Sequence, residues 1–376
     1  MDITLALGIL AIGADTLSWQ RKIFMGKNIQ NIIYNAAKRH ELTKEEIIFL
    51  LSCEYFHKDS LFAAADRVRE KYLGDAVHLR GLIEFSNYCK CSCRYCGLRC
   101  GNKKLKRYRM TIEEIYQTAL RAHALGYRTV VLQAGEDQYY DADKIAALVC
   151  RLKKLGLAVT LSCGIRSYEE YRLWREAGAD RYLLKHETAD PKLYKALHPD
   201  SSLEERLDCL LQLRRLGYQV GSGCIVGLPG QNLETLASDL LLLKELDVEM
   251  AGIGPFIPHP ETPLASVPKG SVELTLKMIA VLRLLLPLAH LPATTALATV
   301  DHDSRAQALC CGANVVMPNV TPQKYKQLYE IYPEKAGTNV ASTQNRRQII
   351  ELITALGRKV ATDQGHSPKE RFQAVS

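Results

Sequence analysis

The sequence predicts an α/β fold, a complete (β/α)8 TIM-type barrel that carries an N-terminal helical extension. From residue 78 onward, eight short runs rich in β-branched residues alternate with amphipathic segments of helical length. This alternation is the pattern of repeated parallel βα units, and eight such units close a barrel. A barrel of this type occupies about 250 residues, so the 376 residues of the chain leave room for extensions.

The predicted elements follow one another without a low-complexity linker. Helices are predicted before the barrel at residues 29–37, from a capping-box pattern at 43–46, and at 62–72. The predicted strands are 78–86, 129–136, 158–164, 181–187, 219–227, 250–258, 292–299 and 313–319. Helical patterns lie between them at 112–125, 144–155, 168–176, 203–216, 233–246 and 274–286; a closing helix spans 344–359, and the end of the chain is expected to be polar and loose.

The chain divides into four segments. We expect residues 1–24 to be a disordered extension or the product of an upstream start, with Met25 as the initiator. Residues 25–77 form a helical segment that packs on the barrel, 78–320 form the barrel, and 321–376 form a helical segment that closes it. The apolar run near the N-terminus is too short to span a bilayer and lacks the positive charge of a signal peptide. No membrane association is predicted.

Four of the twelve cysteines lie together directly after the first predicted strand. Cys89, Cys93 and Cys96 have CxxxCxxC spacing, with Tyr95 before the last cysteine. Three thiolates on one loop hold three irons of a 4Fe–4S cluster and leave the fourth iron open to a small molecule. Zinc is the alternative, although structural zinc usually takes four protein ligands from CxxC pairs. Cys91 is a weaker candidate ligand, because its spacing to Cys93 is too tight for neighbouring irons. An iron–sulfur loop and free thiols predict a reducing, oxygen-poor cytoplasm.

A basic run at residues 103–109 follows this loop in a chain of formal charge +8. It fits a solvated loop, a docking site for an acidic protein partner, or a contact with nucleic acid. With Tyr108 as its only aromatic residue, the run is a poor stacking platform for bases. No nucleic-acid partner is predicted.

The ends of the predicted strands carry candidate ligand-binding residues. The second strand ends Gln133-Ala134-Gly135-Glu136, where a glycine lets backbone carbonyls approach the ammonium group of an amino-acid ligand.

The fourth strand places Arg181, Lys185 and Glu187 on one face. Charges are costly in a packed interior, so they predict a polar cavity that binds charged ligands; the alternative is a wall against the helices. Glu187 suits ribose hydroxyls, and Arg206 suits a carboxylate.

Further candidates follow near the end of the barrel. Thr294 and Thr295 offer hydroxyls without charge, and Met317 ends the eighth strand. Tyr325 and Tyr329 are spaced i,i+4 on one helical face. Each of these also fits a packing or capping role.

Two levels of resemblance follow from these motifs. The cysteine spacing with Tyr95 resembles the radical S-adenosylmethionine (SAM) superfamily, although Ala134 replaces the first glycine of the GGE-like sequence common there. Longer segments resemble the HydE family of FeFe-hydrogenase maturases, over roughly residues 45–360. These segments are 83–87, 96–99, 107–111, 135–137, 181–188, 252–260, 292–295 and 312–319.

The resemblance implies an internal cavity, one 4Fe–4S cluster and SAM as cofactors. It implies reductive cleavage of SAM to a 5′-deoxyadenosyl radical, which acts on a small cysteine-derived, iron-bearing precursor during assembly of the hydrogenase active-site cluster. The implied partners are the small-molecule substrate, companion hydrogenase maturases, and an electron donor such as ferredoxin or flavodoxin.

Matching positions then receive implied roles. Cys89, Cys93 and Cys96 would bind the cluster, with Tyr95 packed beside it. The SAM site would be lined by Gln133, Gly135, Glu136, Glu187 and Arg206. The substrate would be faced by Arg181, Lys185, Thr294, Thr295, Met317, Tyr325 and Tyr329. Among these, Arg181 and Lys185 are expected to hold an anionic group of the substrate while the radical attacks at or near its sulfur.

The chain departs from the family pattern in three places. Lys185 stands where arginine is expected, which replaces a planar fork with a point charge. Ile165 stands where an acidic residue is more typical. Residues 312–376 contain no cysteine, so a second cluster near the C-terminal end is not predicted.

Two other functions remain as alternatives. One is another radical SAM barrel, of the biotin synthase or methylornithine synthase type. Biotin synthase needs a second cluster, and Gly221 and Thr294 lie near the positions where its cysteine and arginine ligands are expected. The other is a non-catalytic metal-binding module that is zinc-loaded and binds nucleic acid through residues 103–109.

Overall fold

The computed structural model describes residues 28–53 and 55–373, apart from the side chains of residues 55–57. The predicted extension at residues 1–24 lies outside the described residues. Within the described part of the chain, no helix is long and apolar enough to cross a membrane.

The segment before the sheet is helical. Its helices are α1 (residues 28–39), α2 (Lys44–Ser52) and α3 (Tyr55–Leu73). The predicted capping box at the start of α2 is confirmed: the Thr43 side chain accepts a hydrogen bond from the Glu46 N–H, and the Glu46 carboxylate accepts one from the Thr43 N–H.

A parallel sheet curls around the centre of the molecule. Its strands are β1 (Ala76–Ser86), β2 (Thr129–Ala134), β3 (Ala158–Ser162), β4 (Arg181–Leu183) and β5 (Gln219–Ser222), and β6 (Ile225–Val226), β7 (Met250–Ala251), β8 (Gly254–Pro255), β9 (Val315–Val316) and β10 (Lys359–Val360) complete the set. The order is β10-β1-β2-β3-β4-β5-β7, β9 also pairs with β1, and β6 and β8 form a separate pair. All these pairs are parallel, so the carboxyl ends of the strands meet at one end of the sheet.

The complete closed barrel that we predicted is not formed. The seventh predicted strand, 292–299, is replaced by a helix, α11 (Thr295–Val300), because the Thr294 side chain accepts from the Leu297 N–H and caps its first turn. The gap between β7 and β9 is spanned only by isolated parallel bridges, between Met250 and His290 and between Pro292 and Val315. The fold is a curled, TIM-like parallel sheet.

The predicted run 219–227 breaks into β5 and β6 at Gly223. The φ of Gly223 is +157°, and a Cβ there would lie 2.0 Å from the Gly252 carbonyl oxygen. The neighbouring strand comes so close at this point that only a glycine fits, and the ladder is interrupted.

Helices cover the outside of the sheet. They are α4 (Ile112–Ala124), α5 (Ala142–Lys154), α6 (Tyr168–Glu176), α7 (Pro191–Leu197), α8 (Leu203–Arg215), α9 (Leu233–Glu245) and α10 (Val272–Leu285), followed after α11 by α12 (Ser304–Leu309), α13 (Gln323–Lys326) and α14 (Ser342–Ala355). The predicted helices between the strands and the closing helix lie close to their predicted positions, whereas short helices at 191–197, 304–309 and 323–326 were not predicted. The N-terminal helices pack on this layer, α2 against α9 and α3 against α10.

The C-terminal tail seals the amino end of the sheet, so the prediction of a loose tail is wrong. β10 pairs with the start of β1, and Gly365, Ser367 and Lys369 beyond it are buried. The Lys369 ammonium donates to the carbonyls of Asp247 and Val248, at 2.7 and 3.0 Å. The tail is polar, as its composition indicates, but its polar groups bond to the rim of the sheet.

Candidate active site

The cysteine loop leaves the carboxyl end of β1 and is held by its own basic residues. The Arg107 guanidinium donates to four backbone carbonyls, those of Asn87, Leu98, Arg99 and Asn102. Arg109 pairs with Asp137 at 2.7 Å. Two cations of the basic run therefore fix the loop onto the sheet.

Gly135, at the end of β2, allows this loop to cross the strand. A Cβ at Gly135 would lie 2.3 Å from the Tyr88 carbonyl oxygen and 2.7 Å from the Cys89 Cβ. The glycine is required by the loop backbone, which passes where a side chain would stand. The Glu136 N–H, one residue on, donates to the Cys89 Sγ at 3.4 Å.

The three predicted cluster ligands lie in surroundings that suit iron-bound sulfur. Cys89 accepts the Glu136 N–H, the Cys93 Sγ lies 3.3 Å from the His198 Nδ1, and Cys96 lines the central cavity. Burial raises the pKa of the Cys96 thiol to about 12, and hydrogen bonding to Cys91, followed by burial, raises the pKa of Cys89. These thiols need a cation to ionise at neutral pH, as cluster iron provides.

The thiols do not form a single-ion site. Across residues 28–53 and 55–373, no three His, Cys, Asp or Glu side chains are arranged to hold one metal ion. In a 4Fe–4S cluster each cysteine binds a different iron, so three ligands on one loop need not converge on a point. The donor set therefore fits a cluster.

A cavity of about 340 Å³ extends from Tyr95 and Cys96 into the curl of the sheet. Its volume is within the range of small-molecule sites. Most of the predicted ligand-binding side chains line it, namely Gln133, Lys185, Glu187, Arg206, Thr294, Thr295, Met317 and Tyr329.

The wall next to Tyr95 carries opposite charges. The Arg206 Nε donates to the Tyr194 hydroxyl at 2.9 Å. Burial lowers the pKa of Arg206, but Tyr194, Tyr95 and Glu187 outweigh it and hold the pKa above its usual value. Arg206 is thus a permanent cation at the cavity wall.

Glu187 is held in a strained conformation with one oxygen free. Its φ is +67°, in the left-handed region that favours glycine. Within the described residues, its buried Oε2 has no hydrogen-bond partner. A buried carboxylate oxygen that lacks a donor is suited to a ligand hydroxyl.

The cavity wall also carries two cations, of which the sequence analysis identified one. Lys185, as predicted, lines the wall and makes no hydrogen bond or ion pair in the part of the chain that the structure describes. Arg305 lines the same cavity, and its buried Nε also has no partner among the described residues. Arg305 follows the segment 292–299, which was wrongly predicted to be a strand. Its place in the cavity wall therefore could not be predicted from the sequence.

A buried ion pair in the cavity wall was also missed. The Lys335 ammonium donates to the Glu84 carboxylate at 2.6 Å, and the Asn319 amide donates to its other oxygen at 2.7 Å. Tyr332 lies nearby on the same wall. The sequence does mark Glu84 as unusual, because it is a charged residue within the otherwise apolar run 82–85.

Three predicted site residues lie elsewhere. Arg181 is at the amino end of β4, where its guanidinium donates to the carbonyls of Gln364 and Gly365 at 2.8 and 2.7 Å. It shares the inner face with Lys185, but it lies one layer deeper, beneath the cavity floor. It binds the C-terminal tail and does not line the cavity.

Tyr325 and Glu136 are the other two. Tyr325 points to the outer helices, since its hydroxyl donates to Glu114 at 2.8 Å and its ring stacks on Tyr108. The Glu136 carboxylate lies outside the cavity, where it accepts the Ile165 N–H at 3.0 Å. Tyr329, four residues after Tyr325, does reach the cavity.

Comparisons with known proteins identify the family of this chain. The Radical SAM superfamily matches residues 83–243. The [FeFe] hydrogenase maturase subunit HydE of Thermotoga maritima is 52% identical over 344 residues, which cover 91% of this chain and 99% of that protein. The 3-methylornithine synthase of Methanosarcina barkeri is 34% identical, covering 84% of this chain and 91% of that protein.

Solved structures show the same fold. A crystal structure of methylornithine synthase superposes with a TM-score of 0.77 and 29% identity, covering 88% of this chain and 97% of that one. The match with HydE extends over nearly the whole of both chains and includes the cysteine loop and the cavity. The chain therefore belongs to the HydE family of the radical SAM superfamily, whose members bind a 4Fe–4S cluster and SAM.

Proposed function

We propose that the protein acts in assembly of the FeFe-hydrogenase active-site cluster, on a small cysteine-derived, iron-bearing precursor. The observation that carries the proposal is that one cavity is lined both by the cysteine loop and by two cations that have no hydrogen-bond or ion-pair partner among the described residues. Tyr95 and Cys96 line this cavity, and so do Lys185 and Arg305. A site built in this way would hold SAM and an anionic second molecule side by side in one cavity.

The cluster end would be organised by the loop. Cys89, Cys93 and Cys96 would hold one 4Fe–4S cluster, which supplies the electron that cleaves SAM to methionine and a 5′-deoxyadenosyl radical. The enclosure of the cavity would keep solvent away from the reacting atoms.

The SAM end would be organised by side chains beside Tyr95. Arg206 would pair with the SAM carboxylate, and the free Oε2 of Glu187 would accept hydrogen bonds from ribose hydroxyls. Gln133, whose amide donates to the Tyr329 hydroxyl at 3.2 Å, would close the side of the site.

The substrate end would recognise a negative group. The Lys185 ammonium would bind that negative group and so position the substrate. Thr294, Thr295 and Met317 would surround the rest of the molecule. Arg305 takes the place that we first assigned to Arg181, because it is the second unpaired cation of the cavity wall. The cysteine-derived nature of the substrate rests on the family resemblance.

The partners follow from this role. An electron donor such as ferredoxin or flavodoxin would reduce the cluster, and companion hydrogenase maturases would provide or receive the small molecule. Nucleic acid has no part in the proposal, because Arg107 and Arg109 of the basic run are bonded within the protein.

The test is SAM cleavage by anaerobically reconstituted protein, with and without extract that contains the companion maturases. We expect about four irons per chain, as one cluster requires, and an extract-dependent rise in 5′-deoxyadenosine. Lys185→Ala should lose that rise and keep the slow cleavage without extract, whereas Lys154→Ala, an exposed lysine of α5, should behave as wild type. A rise that survives in Lys185→Ala would contradict the substrate assignment.

A second candidate is a synthase of the methylornithine type. The 34% identity and the TM-score of 0.77 favour it over biotin synthase. Product analysis separates the two, because formation of 3-methylornithine by the reconstituted protein would replace the maturase role.

A further inference from the structure

His198 is a buried histidine in contact with the cysteine loop, and the proposed function leaves it without a role. It ends α7 and is 3% exposed. Its Nδ1 lies 3.3 Å from the Cys93 Sγ, and its Nε2 lies 3.2 Å from the Tyr95 hydroxyl. The ring therefore touches a predicted cluster ligand with one nitrogen and the neighbouring aromatic residue with the other.

The segment that carries His198 is fastened to the cysteine loop at several points. The Arg94 N–H donates to the Leu197 carbonyl at 2.9 Å. The Ser92 N–H and hydroxyl both donate to the Asp200 carboxylate, at 2.5 and 2.6 Å. These bonds fix the distance between the histidine and the loop.

The plane of the ring is fixed as well. His198 stacks on Tyr194 with 4.4 Å between ring centroids and 16° between planes. The Tyr194 hydroxyl accepts a hydrogen bond from Arg206. The imidazole thus cannot turn away from Cys93 without breaking contacts that reach the cavity wall.

The direction of the hydrogen bond follows from the chemistry of the sulfur. A thiolate that binds iron has no proton and can only accept. The Nδ1 must therefore carry a hydrogen and donate it to the Cys93 Sγ. The Tyr95 hydroxyl completes the pair as the donor to Nε2 in the neutral ring.

We propose that His198 is a positioning residue whose Nδ1–H donates to the Cys93 thiolate and stabilises the reduced cluster. A hydrogen bond to a ligand sulfur offsets the negative charge that arrives with the electron, which raises the reduction potential. This inference rests on the proposed function only through the presence of the cluster on the three cysteines.

The test is an anaerobic redox titration of the reconstituted full chain, followed by electron paramagnetic resonance, on three variants. His198→Phe keeps a ring on Tyr194 and removes both nitrogens. His198→Asn keeps a donor near the Nδ1 position, and His198→Gln keeps a polar atom only near the Nε2 position. The exposed histidine variant His302→Asn is the control.

We expect the equilibrium constant for reduction of the cluster to fall about tenfold in His198→Phe and His198→Gln. For a one-electron reduction this corresponds to a midpoint potential about 59 mV lower. His198→Asn and His302→Asn should stay close to wild type. Equal midpoint potentials in all variants would overturn the inference. If His198→Phe does not retain iron, the comparison of His198→Asn with His198→Gln decides, and equal potentials in that pair overturn it.

Failure of the proposed function would look different. Wild-type protein that binds no iron, or binds it and does not cleave SAM, contradicts the function. Iron-loaded, active protein with unchanged potentials in the variants contradicts only the role of His198.

Discussion

The two ends of the curled sheet are both polar, and they differ in whether room is left for a ligand. At the amino end, Arg80, Arg181 and His290 are buried together, and the C-terminal tail fills the space beneath them. At the carboxyl end, Glu187 and Arg305 each have one buried atom without a partner among the described residues, and both line a cavity of about 340 Å³.

Buried charge alone does not identify a binding site. The amino end also has a buried nitrogen, the Arg80 Nε, that has no partner in the described part of the chain. The tail carbonyls of Gln364 and Gly365 nevertheless occupy the position that a ligand would take. A buried polar atom without a partner therefore indicates a ligand-binding site only where it faces a cavity.

The largest expected effect is at the cysteine loop. Replacing Cys93 by alanine should leave the cluster with two protein ligands, and SAM cleavage should fall by at least about a thousandfold, as expected when a required metal ligand is lost. Iron content and 5′-deoxyadenosine formation are the measurements. Cys91→Ala is the matched control, and loss of iron in that variant would show that Cys91 is a ligand.

The next effect concerns the SAM carboxylate. Arg206→Ala should raise the KM for SAM about tenfold to a hundredfold, because a buried bidentate partner is lost. Steady-state cleavage at several SAM concentrations measures this change. An unchanged KM together with a lower kcat would place Arg206 outside the SAM site.

Arg181 lies in β4 and Lys185 lies two residues beyond its end, and substitutions at these two positions should distinguish the two ends of the sheet. Arg181→Ala should lower the free energy of unfolding by about 2–4 kcal/mol, since buried tail carbonyls lose their donors. Lys185→Ala should change it by less than about 1 kcal/mol, because the ammonium has no partner to lose among the residues that the structure describes. Chemical denaturation compares the two, and reversal of this order would contradict the assignment of the two ends.

The smallest effect is a pH dependence at the amino end. Burial, followed by the charge of Arg80, lowers the pKa of His78 from 6.5 to about 4. The folded state then resists protonation that the unfolded chain accepts. The contribution of His78 to the free energy of unfolding is fully present above pH 6.5. It should be lost as the pH drops towards 4, by up to about 3 kcal/mol.

Denaturation of wild type and His78→Phe between pH 7 and pH 4 measures this term. The variant should lose less stability than wild type over that interval. Parallel curves would show that His78 does not resist protonation in the folded state.

The sequence was sufficient for the parts of the fold where one local rule applies. β1 to β3 and α6 were predicted closely, because apolar runs and capping residues mark them directly. The cysteine loop was found from spacing alone. The helix α11 was missed, because Thr294 and Thr295 have strand propensity. Thr294 is identified as an N-cap only in the structure, where its side chain accepts a hydrogen bond from the Leu297 N–H.

Depth and direction of side chains were the harder part of the site. Period-2 alternation put Arg181 and Lys185 on one face, but β4 ends at Leu183, and alternation carries no information on how far along the sheet axis the cavity reaches. Likewise, i,i+4 spacing put Tyr325 and Tyr329 on one helical face, whereas α13 ends at Lys326 and the two rings point apart. The contacts of the C-terminal tail join residues that are far apart in the chain, so no local sequence pattern predicts them.

The most direct test of the account is whether SAM cleavage depends on one cluster at the mouth of this cavity. Anaerobically reconstituted protein should contain about four irons per chain and release 5′-deoxyadenosine and methionine when reductant and SAM are added. Protein that carries its full iron complement and forms no 5′-deoxyadenosine under strong reductant would contradict the account.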